Sequence, residues 1–237
     1  MIVDLATISR EHFFFFVNKC NDVYRSGHDL SLYRDIIAMH REYSDIEKLI
    51  DSKIFIPTLY RTLVEWDMNK RAAKMTSLET FKKSIEFWKD SLIRLYRYKL
   101  HDDIASELHN INITLEKLFC NIKVMESKRR IVGVSKTLHF LLPDLVMPMD
   151  SKYTMTAFYG YNKYSGDAKD EYKVFQEIFE LSYEITMRLD LTPDDVDGIL
   201  WKTSIPKLID NAIIGFLNCD KDEVLSLFKT ADNKSLQ

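Results

Sequence analysis

Glycine and proline are scarce, with six and five in 237 residues. A sheet fold of this size consumes many more turn residues, so the scarcity points to long helices. Cysteine is scarce too: Cys20, Cys120 and Cys219 are scattered, with no CxxC and no Cys/His cluster. That spacing gives no basis for a disulfide framework, a structural zinc or an iron–sulfur site. No metal and no cofactor is therefore expected, and the thiols are read as buried in a reducing cytoplasm. Excess charge is missing: 33 Lys and Arg face 36 Asp and Glu, a net charge of −3. Nothing global argues for nucleic-acid or anionic-membrane binding. Long apolar runs are missing as well. Phe13 to Val17 follows Arg10, Glu11 and His12 and is too short for a signal h-region or a membrane span, so a cytoplasmic protein with no membrane partner is expected. There is no Gly-rich phosphate loop, HExxH, GxSxG or di-iron carboxylate pattern.

What is present is ordinary for a globular chain: 46% apolar and 12% aromatic residues, enough for a sizeable core. Helical periodicity recurs throughout. Ser9 is the expected cap of a first helix, with Phe13, Phe16, Val17, Cys20 and Tyr24 at helical spacing. Ser44 is placed as the cap of a short third helix. Thr76-Ser77-Leu78-Glu79 reads as a capping box opening the longest helix, about residues 78–98, with Phe81, Ile85, Trp88, Leu92 and Leu95 as its inward stripe. Asn112 or Thr114 caps the next helix, and Asp150 opens another through Phe158. Residues 169–189 form a long amphipathic helix. Residues 159–166 read as a loop, and a final helix covers 221–229. No strand alternation survives a count. The expected fold class is all-α: about ten helices in one compact array, with a helical hairpin near 115–142. The expected organisation is a single helical domain over 1–237, with a soft seam near Ile111.

One stretch departs from this plain pattern: Lys128-Arg129-Arg130-Ile131-Val132-Gly133-Val134-Ser135-Lys136-Thr137-Leu138-His139-Phe140, followed by Pro148-Met149-Asp150-Ser151-Lys152-Tyr153. Residues 115–152 hold seven Lys/Arg against four acids. Apolar-Gly-apolar between two helical segments suits a tight helical hairpin, because glycine can take a positive φ. The amides that open the second helix of such a hairpin can hold a phosphate.

Val132-Gly133-Val134-x-Lys136-Thr137 and Pro148-Met149-Asp150-Ser151 resemble the helix-hairpin-helix superfamily of DNA base-excision glycosylases. The resemblance implies Gly133 in a hairpin that grips the DNA backbone. It also implies Lys136 at the position of a sugar-attacking lysine, and Asp150 as a helix cap that stabilises the sugar cation. It spans about twenty-five residues; Ser135 stands where the family has its second hairpin glycine, and the lysine-to-aspartate separation is shorter by about a turn. A second resemblance covers more of the chain. The segments Leu59–Met68, Ser135–Leu145, Pro148–Thr154 and Thr203–Gly215 are together similar to a group of uncharacterised prokaryotic helical proteins, which brings no activity with it.

Each candidate has a structural alternative. Asp150 can serve as an N-cap, as a catalytic carboxylate, or both. Lys136 can be a solvated first-turn lysine, or a nucleophile if burial or a cationic neighbour depresses its pKa. His139 lies one turn beyond Lys136 on the same helix face and can be a hydrogen-bonded core histidine or a general base. Lys207 and Asp210 lie one turn apart, suited to pairing, and with Asn211 could line a pocket facing Asp150. Two functions follow as expectations. One is a DNA-binding protein of base-excision type, with Asp150, Lys136 and His139 catalytic and with Lys128, Arg129, Arg130, Gly133 and Ser135 contacting DNA. The other is a non-catalytic helical interaction or scaffold protein, for which a homodimer is one form.

Overall fold

The structure, a computed structural model, describes residues 8–220 except 26, 44, 71–72 and 161–165, together with 222–224 and 227. Within these residues the fold is all-α. The helices in chain order are α1 (Arg10–Val23), α2 (His28–Glu42), α3 (Ile46–Asp51), α4 (Phe55–Leu63), α5 (Leu78–Phe87) and α6 (Lys89–Tyr96). They continue with α7 (Leu108–Asn121), α8 (Ile131–Leu141), α9 (Thr154–Tyr159), α10 (Ala168–Arg188) and α11 (Ile205–Leu217). A wide π turn at Val64–Met68 closes α4. The extended residues Met75 and Met125 form an isolated antiparallel bridge. No helix among the described residues is long and apolar enough to cross a membrane.

The buried apolar side chains form one continuous cluster running from Ile8 to Ile213. Ile111, the expected seam, is buried inside α7. Helices α1 and α11 cross closely. A Cβ on Gly215 would sit 1.9 Å from the Phe16 carbonyl oxygen, so only a glycine lets the two backbones approach this far. Ser9 caps α1 as expected, accepting the His12 amide at 3.2 Å. Phe13, Phe16 and Val17 are buried, whereas Phe15 faces out.

Several boundaries differ from expectation, each for a local reason. The helix expected over 78–98 breaks at Trp88, whose ψ of 8° leaves the helical region between α5 and α6. Its cap is Ser77, because Thr76 is engaged elsewhere: the Thr76 amide donates to the Val124 carbonyl at 3.0 Å. Asp45 caps α3; Ser44 lies outside the described residues. A 3₁₀ turn at Ala105–Glu107 leads straight into α7, which begins ahead of Asn112 and Thr114. The expected loop at 159–166 and final helix at 221–229 fall largely outside the described residues. Gly160, in the left-handed region at φ 71°, ends α9.

Candidate functional site

A cleft of about 620 Å³ opens where α1, the start of α2, the π turn, α8, residues 148–153 and α11 meet. Lys136 and Asp150 both line it. The Lys136 Nζ lies 3.4 Å from Asp150 Oδ2 and 5.4 Å from the Trp66 ring centroid. The two oxygens of Asp150 divide its duties. Oδ1 accepts the Lys152 and Tyr153 amides at 2.7 and 3.4 Å, while Oδ2 faces the lysine. The Asp150 amide donates to Thr154 Oγ1 at 2.9 Å. Asp150 therefore caps the turn that leads into α9, which itself starts at Thr154. Cap and charged group are one residue, and the capping bonds fix the second oxygen toward the cleft.

A second ion pair lies in the same cleft. Lys207 and Asp210 hydrogen-bond across one turn of α11 and are both about 4% exposed. The Lys207 ammonium sits 4.9 Å from the Trp201 ring centroid and 5.8 Å from that of Tyr33. Burial holds the Asp210 carboxyl above its usual range against the opposing pull of Lys207; the Asp150 charge adds to the rise and Lys136 subtracts from it. The two pairs thus sense each other electrically. Behind them, the Cys20 thiol contacts Asn211 Oδ1 at 3.8 Å, and burial pushes that thiol up to about 12. Such a thiol is not a nucleophile. Asn211 Nδ2 donates to the Trp201 carbonyl at 3.0 Å. Trp201 is fixed further by its amide donating to Asn21 Oδ1 and its indole N–H donating to the Tyr24 carbonyl, at 3.1 and 2.9 Å.

Aromatic groups dominate the remaining wall. Trp66 occupies the π turn, a bulge frequent at functional sites; its neighbour Asp67 has φ 63°, in the left-handed region. Trp66 stacks on Tyr33 with ring centroids 5.7 Å apart, and Trp201 leans on the same tyrosine at 5.2 Å. At the rim, the Tyr24 and Tyr153 hydroxyls are 2.5 Å apart. Five carboxylates (Asp29, Glu65, Asp67, Asp150 and Asp210) face three lysines along the lining, so the field in the cleft is mildly negative.

His139 does not join Lys136 and Asp150. It is fully buried behind Tyr33 and does not line the cleft. Its Nδ1 lies 2.7 Å from the Val146 carbonyl and its Nε2 3.1 Å from the Tyr33 hydroxyl. The carbonyl can only accept, so Nδ1 carries the proton and Nε2 receives the Tyr33 hydroxyl. Burial pushes the imidazole down to about 3. The placement corrects the general-base reading: α8 is buried on nearly every side, so the position one turn beyond Lys136 points into the core.

The expected phosphate grip also takes another form. Gly133 lies inside α8 rather than in a turn, without a positive φ; a Cβ there would meet Met125 Sδ at 2.5 Å. The glycine allows close packing, not a hairpin. The connection from α7 to α8 is instead extended through Met125. Ser135 is fully buried, with its hydroxyl donating to the Val132 carbonyl and accepting the Met149 amide. Two of the amides opening α8 are already used: Glu171 Oε2 accepts those of Arg130 and Ile131 at 2.8 and 2.7 Å. The Arg130 guanidinium donates to the carbonyls of Cys120 and Ile122, closing α7. Lys128 and Arg129 are exposed but do not line the cleft. The triplet and Lys136 therefore do not form one positive surface.

Lys207 and Asp210 pair with each other, as their spacing suited, and both line the cleft that holds Asp150; Asn211 does not line it. Tyr33, Trp66 and Trp201 were not singled out as site residues. The available signal was rarity: there are three tryptophans, and two of them stand at this cleft. Comparison with protein-family models, with curated proteins and with solved structures finds no match.

Proposed function

We propose that the cleft receives a flat heterocycle of nucleobase type and that the protein hydrolyses the bond joining it to a sugar. The observation that carries this reading is the meeting of Lys136 and Asp150, 14 residues apart in sequence and 3.4 Å apart in space, at an open, tryptophan-walled cleft. Aromatic faces offer stacking to any base, worth about 1–3 kcal/mol each. Asp150, with one oxygen immobilised by backbone amides, stabilises positive charge developing at the sugar carbon or orients a water. In the hydrolysis the water oxygen bonds to that carbon and the carbon–nitrogen bond breaks. Its electron pair leaves with the heterocycle nitrogen, and a proton from the water passes through Asp150 to that nitrogen. Lys136, engaged as an ammonium, holds the carboxylate; it does not attack.

The negative field of the cleft and the capped start of α8 favour a single base or nucleoside over a long duplex footprint. DNA remains a substrate form to be tested, through an extruded base. Free base released from nucleosides and from lesion-bearing single- and double-stranded oligonucleotides is the decisive measurement. Wild-type protein releases base and Asp150→Asn does not. Absence of release from every form refutes the hydrolytic reading.

One observation favours a second reading, that of an interaction protein. Phe87 is 79% exposed, edge-on to Trp88 at 5.3 Å. An exposed aromatic pair of this kind suits a partner or a second copy. A concentration-dependent mass in solution that Phe87→Ser abolishes supports it.

A further inference from the structure

Lys207 is placed where a lysine is expensive. It stands in the first turn of α11, where Ser204 accepts its amide at 3.4 Å. There the helix dipole is positive and opposes a cation. It is also about 4% exposed, as is its partner Asp210. A buried ion pair is often no more stabilising than two apolar side chains of the same volume. Stability therefore does not account for the pair. What it offers is a pattern: an ammonium that only donates beside a carboxylate that only accepts. Both line the cleft, and the ammonium is fixed over Trp201 and Tyr33.

We propose that Lys207 and Asp210 read the hydrogen-bonding edge of the heterocycle, selecting rings that present an acceptor next to a donor. Two classes fit. A cyclic amide gives its C=O to Lys207 and its ring N–H to Asp210. An amidine edge gives its ring nitrogen to Lys207 and its exocyclic amine to Asp210. A ring lacking either group leaves a buried charged group without its partner, and sites built to hydrogen-bond reject such analogues strongly. The assignment rests on the heterocycle-binding reading of the cleft. The raised carboxyl of Asp210 agrees with it, since burial opposes its charge and each added donor favours the charged form.

The test is a binding titration on the full chain, followed by the fluorescence of Trp66 and Trp201. Three ribosides share the sugar and the purine ring: inosine has the cyclic-amide edge, adenosine the amidine edge, and purine riboside neither. Inosine and adenosine are expected to bind about tenfold more tightly than purine riboside. The double variant Lys207→Met, Asp210→Leu is expected to bind all three alike. Equal binding of the three by the wild type overturns the edge-reading assignment and leaves the heterocycle cleft standing. Binding of none overturns both. A double variant that keeps the preference shows that other groups read the edge. Circular dichroism establishes that the variant is folded; in its absence the wild-type series alone decides.

Discussion

The rings of Tyr33 and His139 are parallel, with centroids 5.8 Å apart, and the Tyr33 hydroxyl sits 3.1 Å from His139 Nε2. The hydroxyl also lies 2.6 Å from Thr203 Oγ1. Tyr33 is thereby fixed at its tip, while Trp66 and Trp201 rest on its ring. The wall of the cleft is set by a residue of α2 that is itself fully buried. His139 acts on the site through this tyrosine, as a positioning residue.

That arrangement makes stability depend on pH. Burial pushes the His139 imidazole down from 6.5 to about 3, and burial also lowers His40, against the pull of the Phe140 carbonyl it touches. Below about pH 6.5 the unfolded chain binds protons that these folded histidines refuse, so stability falls as pH drops. From His139 alone the loss is roughly 1.4 kcal/mol per pH unit between the two values. Urea midpoints measured from pH 7 to pH 4 should decline, and His139→Gln should flatten the decline. A midpoint that stays level in the wild type contradicts a buried neutral histidine.

Gly215 sets the next expectation. With 1.9 Å between its virtual Cβ and the Phe16 carbonyl oxygen, any side chain must drive α1 from α11. The obstruction is backbone, so no rotamer relieves it. Gly215→Ala is expected to cost about 1–3 kcal/mol or more, as overpacked cores do. A denaturation curve reads this directly, and the gain in helix propensity from glycine to alanine, about 1 kcal/mol, works the other way. An unchanged midpoint refutes the close crossing. The same crossing places Cys20 beside Asn211, so the variant should also weaken ligand binding at the cleft.

Glu171 gives a prediction of opposite character. Its carboxylate holds the Arg130 and Ile131 amides that would otherwise be free to bind an anion. Glu171→Ala should destabilise by about 1–3 kcal/mol, since it leaves buried donors unmet. Added inorganic phosphate should recover part of the loss by occupying the vacated helix start. Wild-type protein should show no phosphate-dependent rise in midpoint at the same concentration.

The sequence alone carries the all-α class because the signals are redundant: scarce breakers, repeated three-and-four spacing and several caps agree. The spacing of Lys207 and Asp210 suits their pairing across one turn of α11, whereas only the resemblance that marks Lys136 and Asp150 as candidates brings those two together. The role of Gly133 is not legible in the same way. A glycine within an apolar run suits a turn or a close approach equally, and only the position of Met125, outside the helix, selects the second. His139 fails for a related reason. One-turn spacing implies a shared face, but α8 has almost no solvent face for its residues to share. The aromatic wall depends on Tyr33, Trp66 and Trp201, drawn from positions 168 residues apart, and no local pattern links them.

Asp150 separates structure from chemistry most cleanly. Asparagine keeps the Oδ1 that accepts the Lys152 and Tyr153 amides, so Asp150→Asn should fold with a near-native midpoint. It removes the charge opposite Lys136. If Asp150 acts on the sugar carbon, base release should fall by about 100-fold or more. Asp150→Ala should lose the cap as well, costing about 1 kcal/mol of stability. Lys136→Met should reduce release less than Asp150→Asn does, because the lysine holds the carboxylate and does not attack. Borohydride trapping decides between those roles: a lysine nucleophile forms an imine with the sugar that reduction makes permanent, whereas a lysine tied to Asp150 forms none. A trapped adduct in the wild type that disappears in Lys136→Met would assign Lys136 as the nucleophile and leave Asp150 as its partner.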